Sequence, residues 1–133
     1  MKFSEKCSVY ISSHLCSEQT EQNVINAIKS KLPLTLASIA WSKINYKIET
    51  GRVDRMDLKC ELIKILHELK LSPDDLFIII NMENAFSTLE SSLTDWFCFA
   101  DELNFVNTLF INKKSDFLLH WDFYEILHAT RLC

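Results

Sequence analysis

TLFINKKSDFLLHWDFYEIL, Thr108 to Leu127, is the stretch whose reading decides how this chain folds. Its first part is an apolar run that predicts a strand. Lys113–Asp116 is a polar turn, and FLLHWDFYEIL predicts a second strand returning antiparallel to the first. On a continuous strand, successive side chains alternate between faces. His120, Asp122 and Tyr124 then share one face, with Leu119, Trp121 and Phe123 on the other and Glu125 beside Trp121. The His–Asp pair is either part of a catalytic site or the outward face of a strand whose reverse is core. A general base needs a proton-bearing group to act on, and no serine, cysteine or glycine-rich loop is placed for it by the sequence. The outward face is the better reading.

Ahead of this hairpin, strands and helices alternate. KCSVYISS (Lys6–Ser13) sets Val9 and Ile11 against serines and predicts a short strand. Ser17 then opens a helix whose first turn is acidic, whose Val24, Ile25, Ile28 and Leu32 recur at helical spacing, and which Pro33 stops. Leu34–Trp41 fits a strand or a short helical turn equally. Ile44, Tyr46 and Ile48 alternate like a strand that Thr50 and Gly51 close as a turn. Asp54 is the expected N-cap of a helix with the apolar stripe Leu58, Leu62, Ile65, Leu66 and Leu69. The run Leu76 to Ile80 predicts a strand buried on both faces. ENAFSTLESSLTDWFCFADEL spaces Phe86, Leu89 and Leu93 as a helix, although its WFCF cluster also fits extended chain. The predicted class is α/β (or α+β): a mixed β-sheet with packed helices and a C-terminal antiparallel hairpin, in one domain over residues 1–133.

Composition narrows the chemistry. In 133 residues, 48% hydrophobic and 24% charged is the balance of a globular protein. The longest strongly apolar run, Leu32 to Ser42, is far too short to span a bilayer, and no signal peptide is legible at the N-terminus, so a cytoplasmic protein is expected. Gly51 is the single glycine. Phosphate-cradling loops and nucleophile elbows need several small residues, which removes the P-loop, the dinucleotide fingerprint and the G-x-S-x-G elbow together. The five cysteines, Cys7, Cys16, Cys60, Cys98 and Cys133, are odd in number and irregularly spaced, and read as reduced and mostly buried thiols. There is no C-x-x-C or H-E-x-x-H. Cys60 and His67 lie two helical turns apart, too far to share an ion. No metal and no cofactor are expected.

The net charge of −4 is unevenly spread. Residues 1–53 carry seven basic and four acidic side chains, and residues 54–133 carry seven and fourteen. Leu71 to Asn112 contains no lysine or arginine, while it holds Asp74, Asp75, Glu83, Glu90, Asp95, Asp101 and Glu102. Such a run is either a solvated face or a docking surface for a basic partner. Trp96 sits among these acids, and aromatics are enriched at binding hot spots. The same sign argues against nucleic-acid binding.

An α/β chain with an acidic half, aromatics among the acids and no catalytic signature resembles the immunity proteins of bacterial contact-dependent growth inhibition. The closing segment TLFINKKSDFLLHWDFYEILHA and the Lys-, Ile- and Asn-rich composition carry the resemblance across the whole chain. It implies a cognate toxin domain, often a basic nuclease, held inactive in a tight complex in which acidic side chains can mimic phosphates. No binding residue is carried over from the family. The expected partner surface is Asp74, Asp75, Glu83, Glu90, Asp95, Trp96, Asp101 and Glu102, joined by His120, Asp122 and Tyr124. The competing expectations are a small enzyme using His120 and Asp122 or a cysteine, and a regulatory protein-binding module.

Overall fold

The computed structural model describes residues 2–36 and 38–132. Its centre is a six-stranded sheet: β1 (Ile48–Arg52), β2 (Leu76–Asn81), β3 (Leu89–Ser92), β4 (Thr108–Asn112), β5 (Phe117–Trp121) and β6 (Ile126–Arg131). The spatial order is β1-β6-β5-β4-β2-β3, and every pairing is antiparallel. The helices are α1 (Glu5–Ser13), α2 (Glu18–Lys31), α3 (Leu58–Glu68), α4 (Leu93–Phe97) and α5 (Ala100–Leu103), with a 3₁₀ turn at Trp41–Lys43. The α/β class with packed helices and a C-terminal hairpin is therefore present.

Two hydrophobic clusters flank the sheet. Phe77, Ile79, Phe110, Leu119, Trp121, Leu127 and Ala129 meet Cys7 and Tyr10 of α1, the Leu58–Leu62–Ile65–Leu66 stripe of α3, and Leu93, Trp96 and Leu103. On the reverse face Ile78, Leu109, Ile111 and Leu118 meet Val24 and Ile28 of α2, together with Ile39 and Trp41. Alternate residues of β2, β4 and β5 thus enter opposite clusters. This is why these strands read as unbroken apolar runs.

Several expectations are overturned. The predicted strand over Lys6–Ser13 is the helix α1. Its period-2 pair misleads, because Val9 is 59% exposed, while Cys7 and Tyr10, three apart, are buried. Ser4 caps this helix by accepting from Cys7 N, and Glu102 accepts from both Ser4 N and Ser4 Oγ at 2.7 Å. The helix expected over 83–103 divides into β3, α4 and α5. Leu89 pairs with Ile79 of β2, and Ser92 ends the strand by capping α4, accepting from Asp95 N at 3.1 Å. Gly51 lies inside β1 rather than in a turn. Asp54 heads a turn, its Oδ1 accepting from Met56 N and Asp57 N, and α3 itself starts at Leu58.

Trp96, expected on the surface, is completely buried and stands edge-on to Phe110 with ring centres 5.2 Å apart. Its indole N–H has no acceptor among the described residues. An orphaned buried donor costs about 1–3 kcal/mol, which opposes the loss expected on shrinking the ring. Trp96→Phe is therefore expected to change the unfolding free energy by less than about 1 kcal/mol. A loss of several kcal/mol on urea denaturation would mean that the indole nitrogen has a partner.

The tight turns between strands use Asx side chains where glycine is missing. Asn112 Oδ1 accepts from Asp116 N and Phe117 N at 3.0 and 2.9 Å in the β4–β5 turn. Asp122 Oδ1 does the same for Tyr124 N and Ile126 N at 2.8 and 3.0 Å in the β5–β6 turn. Each turn is completed by a non-glycine residue at positive φ, Ser115 (58°) and Glu125 (64°). A short polar side chain bonding its own following backbone stands in for a glycine-built turn. FLLHWDFYEIL is consequently two strands broken at DFYE, and not one.

Candidate functional site

That break rearranges the predicted surface. His120 and His128 lie directly opposite each other on β5 and β6, on the face that carries Leu118 and meets Trp41. His120 is fully buried, so its expected outward position is overturned. Trp41 Nε1 donates to His120 Nδ1 at 2.8 Å. Since the indole can only donate, Nδ1 is the acceptor and the ring proton sits on Nε2, which faces Asn107 Oδ1 at 3.1 Å. Burial first of all, and the neighbouring His128, push the ring's pKa down to about 4, against an opposing pull from Asp122. His120 is neutral, with both nitrogens engaged inside the protein.

His128 stacks on Trp41, with ring centres 4.6 Å apart and planes 8° apart. Its Nε2 donates to Asp122 Oδ2 at 2.7 Å. Its Nδ1 lies 2.8 Å from Glu49 Oε2 without hydrogen-bond geometry. Lys47 Nζ stands 3.7 Å from the same carboxylate oxygen and donates to Trp41 O. Asp122 thus both shapes the turn and holds His128.

In front of this network is an open cleft of about 460 Å³, lined by Thr35, Ser38, Ile39, Trp41, Asn107, His120, Asp122, Phe123 and Tyr124. Its outer lip is the turn tip, where Phe123 is 59% exposed and Tyr124 77%. The two rings meet edge to face at 5.5 Å. Of the predicted trio, Asp122 and Tyr124 are at the cleft rim and His120 is behind it. Trp41, Asn107, His128, Ser38 and Phe123 were not singled out by the sequence. Only His128 and Phe123 had a visible signal, inside the C-terminal segment itself.

The acidic residues fall elsewhere. Asp95, Asp101 and Glu102 converge on α1. Burial pushes the Cys7 thiol up to about 11, with Glu102 and Asp101 adding to the rise. Burial likewise pushes the Tyr10 hydroxyl up to about 12, with a contribution from Asp95. The two hydrogen bonds from Ser4 hold the Glu102 carboxyl below its ordinary value. Asp74 joins this side, accepting from Thr94 Oγ1 at 2.6 Å. Asp75 and Glu83 are exposed on loops. The window without bases in sequence is not without them in space. Lys113 reaches Glu90 at 3.2 Å, Lys59 sits 5.6 Å from the Phe97 ring centre, and Lys2 and Arg55 line one shallow cleft with Asp101 and Glu102.

The cysteines do not follow the buried expectation uniformly. Cys7 is buried and Cys16 half-buried, whereas Cys60 and Cys98 are exposed and all four are free; Cys133 lies outside the described residues. None of the four lines the cleft. Among the described residues, no group of three His, Cys, Asp or Glu side chains is arranged to hold a metal ion, and no helix is long and apolar enough to cross a membrane. No protein-family model matches this chain, and no curated protein is similar to it in sequence.

Proposed function

We propose that this protein is a non-enzymatic binding protein that neutralises a cognate basic toxin domain, as its resemblance to contact-dependent growth inhibition immunity proteins implies. The observation that carries the reading is the β5–β6 turn tip. Two large aromatic rings, Phe123 and Tyr124, are held out to solvent there on a turn clamped by Asp122. Rigid exposed aromatics around a recess are the usual anchors of protein–protein contacts. The net charge of −4 favours a partner of opposite sign. The enzymatic alternative loses support at His120. A general base needs a free lone pair, and the Nδ1 lone pair of His120 already accepts the Trp41 N–H.

The test is co-purification with the protein encoded directly upstream, followed by titration of the purified pair. Replacing Phe123 and Tyr124 together by alanine is expected to weaken binding by about tenfold or more. The same change should leave stability within about 0.5 kcal/mol, since both rings are largely exposed. Unchanged affinity in the double variant would remove the turn tip from the interface. Failure of the upstream product to bind at all would remove the toxin reading.

A further inference from the structure

We propose that the cleft beneath Tyr124 is a receptor for a guanidinium group, an arginine side chain projected by the partner. This rests on the reading that the partner is basic and names the group that enters.

The sign of the cleft comes first. Among the described residues, no lysine or arginine lines it. Asp122 is the one carboxylate on its wall, while Lys47 and Glu49 lie on the far side of the His128 ring, outside the lining. His128 itself backs Asp122 from behind the wall. An anionic ligand such as a phosphate would meet the Asp122 carboxylate with no lysine or arginine on the lining to offset it.

Free acceptor capacity comes second. A carboxylate offers about four lone-pair positions. Asp122 uses three, for Tyr124 N, Ile126 N and His128 Nε2. Asn107 Oδ1 accepts from His120 Nε2 and retains a second lone pair. The Asn107 backbone is held at φ 63°, its carbonyl accepting from Met82 N at 2.8 Å, and its side-chain amide is oriented by His120 Nε2 at 3.1 Å. These two acceptors, on β5–β6 and on the segment entering β4, approach the cleft from different elements.

The aromatic lip comes third. The edge-to-face pair Phe123–Tyr124 offers exposed ring surface beside those acceptors. A planar cation with donors in a fork can stack on a ring and donate in two directions at once. An ammonium is a compact, strongly hydrated point charge and gains less from such a site.

The experiment follows the assigned amide and indole resonances of the ¹⁵N-labelled chain while arginine amide, lysine amide or urea is added. Arginine amide is expected to shift the Asn107 side-chain amide and the Trp41 indole N–H saturably, with lysine amide at least about fivefold weaker and urea without effect. Ser38→Lys places a cation on the wall without touching the Asp122 turn. It is expected to weaken arginine amide by about tenfold or more, while Ser38→Ala leaves it unchanged. Equal shifts from urea or lysine amide, or undiminished binding to Ser38→Lys, would overturn the proposal. The two readings separate cleanly. If arginine amide fills the cleft but no basic toxin domain binds, the receptor stands and the toxin reading falls. If a toxin domain binds Ser38→Lys as tightly as the unaltered chain, the receptor falls and the toxin reading stands.

Discussion

Trp121→Ala is expected to lower the unfolding free energy by about 3–5 kcal/mol. Trp121 is completely buried at the end of β5. It pairs with Thr108 of β4 on one side and Leu127 of β6 on the other. Its indole N–H also donates to Val53 O at 2.9 Å, tying the segment after β1 to the face that holds α3, the core face on which the strand alternation places Trp121. Alanine removes the ring, leaves a cavity among large neighbours and strands a buried carbonyl. Trp121→Phe separates these terms, because it keeps most of the packing and loses the hydrogen bond. It should cost roughly 1–3 kcal/mol, the price of an unsatisfied buried group. Urea denaturation reads both. A loss under about 1 kcal/mol for the alanine variant would be incompatible with this burial.

The second large effect is on the pH dependence of stability. His120 carries a folded-state pKa of about 4 against 6.5 for the free side chain. In the unfolded chain the ring takes up a proton as pH falls through 6.5, while the folded state resists until about 4. The unfolded state therefore binds more protons across that window, and stability falls as pH falls. The contribution is fully present above pH 6.5 and lost by about pH 4, with a total of about 3 kcal/mol. His120→Gln offers an acceptor to Trp41 and a donor to Asn107 but has no titration. It should be less stable than the parent at pH 7, and the difference should shrink by about 3 kcal/mol on going to pH 4. Parallel stability curves for the two proteins would show that His120 titrates as though exposed. Following the His120 ring resonances directly through the same range gives an independent answer.

The burial of Trp121 follows from strand alternation, whereas that of His120 does not. The expected alternation along HWDFYE put His120, Asp122 and Tyr124 on one outward face. Period-2 alternation holds only while the chain stays extended, and it says nothing of a face covered from elsewhere. Here Trp41, seventy-nine residues away, covers His120, and Asp122 turns the chain before Tyr124 can align. Trp96 was misplaced for a related reason. Its neighbour Asp95 is exposed, but successive residues of a helix point about 100° apart, so the next side chain, Trp96, is driven onto Phe110. The acidic window failed as a spatial statement because charge runs are linear and surfaces are not: Lys2, Arg55, Lys59 and Lys113 arrive from other elements.

By itself the sequence determined the elements whose apolar pattern is long enough to carry its own period. These are α2 with its Ser17 cap, the α3 stripe, the doubly buried β2, and the β4–β5 hairpin over Lys113–Asp116. It also determined the class, and its single glycine excluded the phosphate-loop chemistries. The tertiary structure alone decided which face of each strand is covered, that α1 is a helix and not a strand, and that the C-terminal segment turns at Asp122. It alone built the cleft, whose walls come from Thr35, Ser38, Ile39, Trp41, Asn107 and the β5–β6 turn. The physical reason is that local pattern records only the free energy a segment gains from its own burial. Neutralising His120, closing a glycine-free turn and bringing distant walls together depend on contacts between segments that no window of the sequence contains.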